Sequence, residues 1–492
     1  MDTPIHYRDF WGRADAKRQA LIDSLGFDTW KPARRKAAEA EAAGPRGYET
    51  FRASEATRFR FSPQDVNAGY EAWPALDELF PRAIQGVNPN RGLDGSLVDT
   101  DREVLEKRMR SYFDARNFDQ VKQVAPGLAV DRARYQAREM WEWLSRSARY
   151  QPENVVEYLL FPLDGRWIYY EESTKLLNER RAEYWENLAN NEFLLAVPDA
   201  RQVSETRPLH TRTLADLHVH DRGTACFPRE TKPGELVTTR VANLAEPAWG
   251  VLRAAYGLAG GMDGAPAKQL VSALFRCALA LIHAPRFEDD HRDALTHDWA
   301  HIPIPKQQEQ FARLVELGSD ISTLLDPLAN ADAVVDRLLG PELACQVGVL
   351  RSSAAGNPDL HVTISYFGAA KGRWRERDYA EAERRPATWS ARTGDLYLSD
   401  TTFFANVPER VWAFELGGYA VLRKWLGYRQ AKDRDGKPLS TSEAQHFRSM
   451  IQRLAALLAL QPQLDGAYEE TARDAFTAEG LGLRKSKAGP AG

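Results

Sequence analysis

The segment Gln269–His283, QLVSALFRCALALIH, is the most apolar helix-like stretch of the chain, and a helix of that composition has to lie in the middle of a core. Around it, strand and helix signals follow one another without a regular order. Ile5–Phe10 alternates as a strand does, and Asp15–Leu25 carries apolar residues at helical spacing. Val155–Leu160, the turn Asp164-Gly165 and then RWIYY read as a hairpin. NEFLLAVPDA ends in a buried-type strand, and a further strand pair is expected near Leu214–Val219 and Thr224–Phe227. Thr100 and Glu103 predict a capping box opening a helix over Asp101–Phe113, RARYQAREMWEWLSRSARY predicts a second helix, and STKLLNERRAEYWENL a third. Strands are expected at Ser96–Val98, Leu360–Tyr366 and Leu396–Leu398, and a closing helix at Ser442–Leu460. No repeated strand–helix–strand unit appears, so the pattern predicts an α+β fold rather than a doubly wound sheet.

At about 100–200 residues per domain, a chain of 492 residues is expected to form several lobes. With 65 basic against 69 acidic residues it is no general polycation, although one face can still be basic. Cys226, Cys277 and Cys345 are too few and too scattered for a disulfide framework or a thiolate zinc site. No apolar run approaches the length of a bilayer span, and the polar start MDTPIHYRDFWGRADAKRQ is no signal peptide; the expectation is a cytoplasmic protein.

Several residue groups carry the look of chemistry. In Asp216-Leu217-His218-Val219-His220 a strand would point both imidazoles to one face, as in amidohydrolase-type metal enzymes, but no barrel periodicity surrounds it. His297 and His301 are one helical turn apart, near His291, yet Asp298 stands where a glutamate base would follow, and Pro303 and Pro305 cut the helix short. The glycines of YGLAGGMDG match no dinucleotide fingerprint. Among 27 prolines there is no Pro-Pro pair, so the Pro-Pro-aromatic loop that receives a flipped base in amino-group DNA methyltransferases is missing. Asn88-Pro89-Asn90 lacks both the second proline and the aromatic ring.

Six stretches, in order, resemble the region that follows the methyltransferase domain in single-polypeptide restriction–modification enzymes of type ISP. They are GVNPNRGLDGSLVDTDREVLEKRM; LFPLDGRWIYYE, with Phe161 where arginine is usual; LADLHVHDRGTACFP; ALALIHAPRFEDDHRDALTHDWAHIPIP; VPERVWAFELGGYAVLRKWLGYR; and GKPLSTSEAQHFRSMIQRLAALLALQPQLD. The resemblance runs from about Trp73 to Tyr468. It implies an α+β, multi-lobe target-recognition region without a complete methyltransferase Rossmann core. The lobes it implies are a connector to a methyltransferase over 1–130, recognition lobes over 131–340 and 341–480, and a flexible tail over 481–492. It further implies double-stranded DNA as ligand, and a separate adenine-N6 methyltransferase subunit as partner, with helicase and nuclease subunits besides. No cofactor is expected in this chain, and S-adenosylmethionine belongs to that partner. The rival readings are a metal-dependent hydrolase using His218 and His220, and a scaffold in a defence complex that touches no DNA.

Recognition of DNA needs cations for phosphates and planar or bidentate groups for base edges. Lys371–Arg392 holds seven basic residues against four acids, with Lys371, Arg373, Arg375 and Arg377 around Trp374, and is expected to project as a loop. Arg166 and Tyr170, around the hairpin, are further candidates, as are Arg423 and Lys424 at the start of a helix after Gly417-Gly418. Arg132, Arg134, Arg138, Arg146 and Arg149 suit backbone tracking or an acidic partner.

Overall fold

The computed structural model describes residues 5–8, 14–24, 49–51, 68–89, 95–171, 176–198, 207–221, 223–232, 239–296, 298–364, 373–377, 392–430 and 436–484. They fall into two compact units, Met1–Glu71 and Ala72–Gly492. In the first, strand β1 (Ile5–Tyr7) pairs antiparallel with β2 (Glu49–Phe51), and helix α1 spans Ala14–Ser24.

The second unit is built on three four-stranded sheets and a helical layer. Its early strands are β3 (Ile84–Gln85), β4 (Val98–Asp99), β5 (Val155–Phe161), β6 (Asp164–Tyr169), β7 (Phe193–Ala196), β8 (Leu209–Thr211), β9 (Leu214–Ala215) and β10 (Ala225–Pro228). They form two sheets, in the orders β3-β10-β7-β8 and β4-β6-β5-β9. The expected hairpin is present as β5–β6, paired from Val155↔Tyr169 to Phe161↔Asp164. The expected pairing of 214–219 with 224–227 is not: β10 pairs with β7 and β3, while β9 runs parallel to β5. The chain after β9 is instead held to Val87, whose amide bonds the Ala215 carbonyl at 2.8 Å while the Leu217 amide bonds the Val87 carbonyl at 2.7 Å. Gly86 permits that approach, since a Cβ there would lie 2.6 Å from the Asp216 backbone.

The helix signals are met with shifted ends. Helix α2 (Arg102–Asp114) is capped by Asp101, which accepts from the amides of Glu103 and Val104 at 2.9 and 3.1 Å; the expected Thr100 capping box does not form. Helix α3 spans Ala137–Ser147, so Arg132 and Arg134 precede it. Of STKLLNERRAEYWENL, only Ala182–Glu186 is helical among the described residues. The apolar helix α4 (Ala265–Ile282) sits in the centre as expected, packed on α5 (Gln308–Leu325). Gly318 lets the two backbones touch, for a Cβ there would lie 1.8 Å from the Arg276 carbonyl oxygen. By length and composition α4 is apolar enough to cross a membrane, which the sequence reading had not anticipated, yet eleven of its residues are buried in this core.

After the two-stranded pairs β11–β12 (Glu230–Thr231 with Val241–Ala242) and the short strand β13 (Ile304–Pro305) comes the third sheet. It consists of β14 (Val349–Ser352), β15 (Arg373–Arg377), β16 (Thr393–Tyr397) and β17 (Thr402–Pro408), in the order β14-β17-β16-β15. Leu360–Ile364 is not a strand, and the last two residues of that expected strand lie outside the described residues. Helix α6 (Val421–Gly427) follows. Helix α7 (Thr441–Ala472) opens on a Ser440/Glu443 capping box and runs through Pro462, because Leu464, Ala467 and Tyr468 beyond the proline are buried. It covers the inner face of the third sheet, with Phe447 4.9 Å from Phe404 and 5.0 Å from Trp425 between ring centroids.

Candidate nucleic-acid interface

Alternation along a strand decides which side chains of the third sheet meet solvent. The register aligns Leu350, Phe404, Leu396 and Trp374 in one row and Arg351, Phe403, Tyr397 and position 373 in the next. The first row faces α7: Phe404 and Leu396 have no exposed surface, and Trp374 donates its indole N–H to the Val407 carbonyl at 2.9 Å. Gly394 makes room for that indole, because a Cβ there would lie 2.6 Å from Trp374 Cε2 and 2.2 Å from the Arg375 carbonyl oxygen. The second row faces outward. Arg351 and Arg375 are exposed, and Phe403 and Tyr397 are half-buried with centroids 5.0 Å apart. The Arg375 guanidinium lies 4.3 Å over the Tyr397 ring. Neither Arg351 nor Arg375 has an ion-pair partner among the described residues. The outer face therefore offers two cations without an ion-pair partner among the described residues, beside two aromatic rings.

The residues expected to meet DNA are distributed unevenly around this face. Arg373, Arg375 and Arg377 stand on edge strand β15 rather than on a projecting loop, because 373–377 pairs residue for residue with Tyr397–Thr393. Trp374, on the same strand, points inward. Lys371 lies outside the described residues. Arg392 is tied by ion pairs to Glu376 at 3.0 Å and Glu409 at 2.8 Å.

Arg166 and Tyr170 are elsewhere and packed. Arg166 is 8% exposed and pairs with Asp164 at 3.0 Å, while Arg429 reaches the same carboxylate at 2.9 Å. Burial alone would raise the Asp164 pKa, but the two guanidiniums hold it well below the usual carboxylate range. This buried cluster forms one wall of a cleft of about 650 Å³ that also receives Asp99, Arg108, Lys437 and Ser440. Tyr170 is 1% exposed and stacks on Trp185 at 4.2 Å. Arg423 and Lys424 are half-buried on aromatic rings. Arg423 lies over Trp412 at 5.1 Å, and the Lys424 ammonium sits 4.4 Å from Tyr419, 4.5 Å from Phe161 and 5.2 Å from Tyr428. Burial lowers the Lys424 pKa, and Asp221 opposes that shift.

The histidine motifs resolve into local bonding. His218 is beside Asp216 at 3.4 Å in a turn, while His220 is buried and its Nε2 bonds the Arg207 carbonyl at 3.2 Å. His301 Nδ1 bonds the Trp73 carbonyl, His291 meets the Tyr468 hydroxyl, and His297 lies outside the described residues. Among the described residues, no group of three or more His, Cys, Asp or Glu is placed to hold a metal ion. A further constellation, unforeseen in the sequence, links Ser322 Oγ to His210 Nδ1 at 2.9 Å and His210 Nε2 to Glu192 at 3.0 Å. It has the order of a hydrolytic triad, but all three side chains are buried and Arg276 neutralises Glu192 at 2.8 Å. It ties β8 to α5 and α4.

The outward Arg351, Phe403 and Tyr397 were missed from sequence. The pair Phe403-Phe404 signals a strand with one aromatic on each face, but which face is covered depends on α7, far along the chain.

Comparison with known proteins agrees with this architecture. The fold is similar to that of DrdV in a cryo-EM complex with DNA, with a TM-score of 0.58 and 15% identity over 95% of this chain and 43% of that one. It is also similar to a nuclease-deletion mutant of the Type ISP restriction–modification enzyme LlaGI in complex with a DNA substrate mimic, with a TM-score of 0.53 and 14% identity over 95% of this chain and 33% of that one. The chain thus spans less than half the length of either. No curated protein matches it. The model of the Type ISP C-terminal specificity domain matches residues 78–458, most of the chain, and the chain belongs to that family.

Proposed function

We propose that this chain recognises a DNA sequence for an adenine-N6 methyltransferase in a restriction–modification or phage-defence system, and that the methyl-transfer chemistry lies outside these 492 residues. The observation that carries the reading is the outer face of the third sheet, where Arg351, Phe403 and Tyr397 share a row and Arg375, two positions beyond that row on β15, lies over Tyr397, on a specificity-domain fold. Two cations without an ion-pair partner among the described residues suit phosphates, and flat side chains beside them suit bases. The absence of a Pro-Pro dipeptide supports the division of labour, since the loop that would receive a flipped adenine is not in the sequence. S-adenosylmethionine would then bind the partner.

Selection from a pool of randomised duplexes tests this. Bound duplexes are expected to share one motif, and methyl groups from S-adenosylmethionine are expected to reach that motif only after the partner methyltransferase is added. A bound pool without any shared motif would overturn sequence recognition. Methyl transfer by the chain alone would overturn the division of labour.

A further inference from the structure

We propose that the exposed face of helix α3 is a two-fold interface on which a second copy of this chain docks, with the two helices antiparallel and the two Trp143 rings at the centre. The contact involves no residue of the third sheet.

Helix α3 is two-sided. Ala137, Trp141 and Leu144 are buried on one side, while Glu139, Glu142, Trp143 and Arg146 form the opposite stripe at the i, i+3, i+4, i+7 spacing of a helix face that packs on another body. Trp143 is 50% exposed, the most exposed large apolar side chain among the described residues. Tryptophan is the side chain on which binding energy at interfaces most often concentrates. A shallow hollow of about 360 Å³ beside the ring is lined by Glu139, Glu142, Arg146 and Ser147 of the same helix, so no second element closes it. The charges are unspent as well. Glu142 precedes Arg146 by one turn, the order that favours an intrahelical pair, yet neither they nor Glu139 has an ion-pair partner among the described residues. Arg102 and Glu106 on α2, at the same separation, do pair at 2.7 Å.

The charge pattern selects the occupant. A two-fold interface joins the same patch of two copies, so the patch has to be complementary to itself. Here the acids Glu139 and Glu142 occupy the N-terminal half of the stripe and Arg146 the C-terminal half. Glu139 and Arg146 are two turns apart, about 10.5 Å along the helix. An axis midway between them passes beside Glu142 and Trp143. Antiparallel copies then set Glu139 of each against Arg146 of the other and bring both Trp143 rings next to the axis. Their opposed helix dipoles add to the attraction. A DNA backbone fits the same stripe poorly, because Glu139 and Glu142 would face phosphates. With 11 residues α3 is about 16 Å long, so the contact is small and the association is weak.

Sedimentation velocity of the whole chain over a hundredfold range of concentration reads the association, without DNA present. The wild type is expected to pass reversibly from monomer to dimer, and to do so less readily at high salt. Trp143→Ala, Glu139→Arg and Arg146→Glu are each expected to weaken dimerisation at least tenfold. Mixing Glu139→Arg with Arg146→Glu in equal amounts should restore dimers to within about threefold of the wild type, because each variant then meets two opposite charges on the other. Misfolding of either variant cannot mimic that rescue. A wild type that stays monomeric throughout would overturn the proposal, as would a dimer that tolerates all three substitutions. Weakened single variants without rescue on mixing would overturn the antiparallel pairing. A monomeric wild type whose Trp143→Ala variant loses DNA affinity would also overturn it and assign the stripe to DNA.

Discussion

Asp164 shows how one residue governs the fate of two others. It is fully buried and shared by Arg166 and Arg429, and Arg429 also reaches Glu443 at 3.3 Å and lies 3.6 Å over the Trp425 ring. Replacing the carboxylate by an amide would leave two guanidiniums buried without their shared counter-ion, which typically costs about 3–5 kcal/mol. Asp164→Asn is therefore expected to lower the thermal midpoint by several degrees. The protein that remains folded is expected to bind DNA as before, since the cluster's contacts through Trp425 and Phe447 meet Phe404 on the inner face of the sheet and not the outer row. Calorimetry and anisotropy on the same sample check both halves, and an unchanged midpoint would contradict the role given to Asp164. The basic character of Arg166, Arg423 and Lys424 was legible in the sequence; their burial was not. Asp164 and Arg429 stand 265 residues apart, so no local spacing shows that they meet.

At the scale of elements, legibility followed the locality of the signal. The β5–β6 hairpin and the central helix α4 were readable, because each rests on residues within one turn or one alternating run, whereas the equally local Ser440/Glu443 capping box of α7 was missed. Elements fixed by distant contacts were misread. The 216–220 stretch alternates like a strand, but the Asp216 carboxylate accepts the His218 amide at 2.7 Å and folds it into a turn against the 86–87 backbone. The basic segment after Lys371 looked like a loop because charge dominates it. Residues 373–377 nonetheless form an edge strand, since Trp374 finds a slot over Gly394 and the ladder to β16 satisfies their backbone. Edge strands commonly carry exposed charges, so charge alone did not argue against a strand. The closing helix, expected to end at Leu460, runs on through Pro462 to Ala472, because the buried residues beyond the proline override its helix-breaking preference.

Across the whole molecule, buried neutral histidines predict a pH dependence. Burial pushes His220 and His291 down to about 4 and His283 down to about 3. Unfolded histidine takes its proton near pH 6.5, so below that value the unfolded chain binds protons that the folded chain refuses, and stability falls as pH falls. Above pH 6.5 both states are neutral and these groups contribute no slope. Between pH 7 and pH 5 each histidine is expected to remove roughly 2 kcal/mol, at about 1.4 kcal/mol per pH unit below 6.5. The thermal midpoint should thus drop clearly between pH 7 and pH 5, and equal midpoints would contradict the burial of these rings. The central claim, however, is that the outward row of the third sheet holds DNA, and its salt dependence tests that most directly. Each phosphate contact contributes about 0.9 to the slope of log affinity against log salt concentration. If Arg351 and Arg375 each meet one phosphate, the double variant Arg351→Ala/Arg375→Ala should bind duplex more weakly with a slope flatter by about 1.8, and keep its thermal midpoint because exposed arginines add little to folding. The same affinity and the same slope as the wild type would contradict the account.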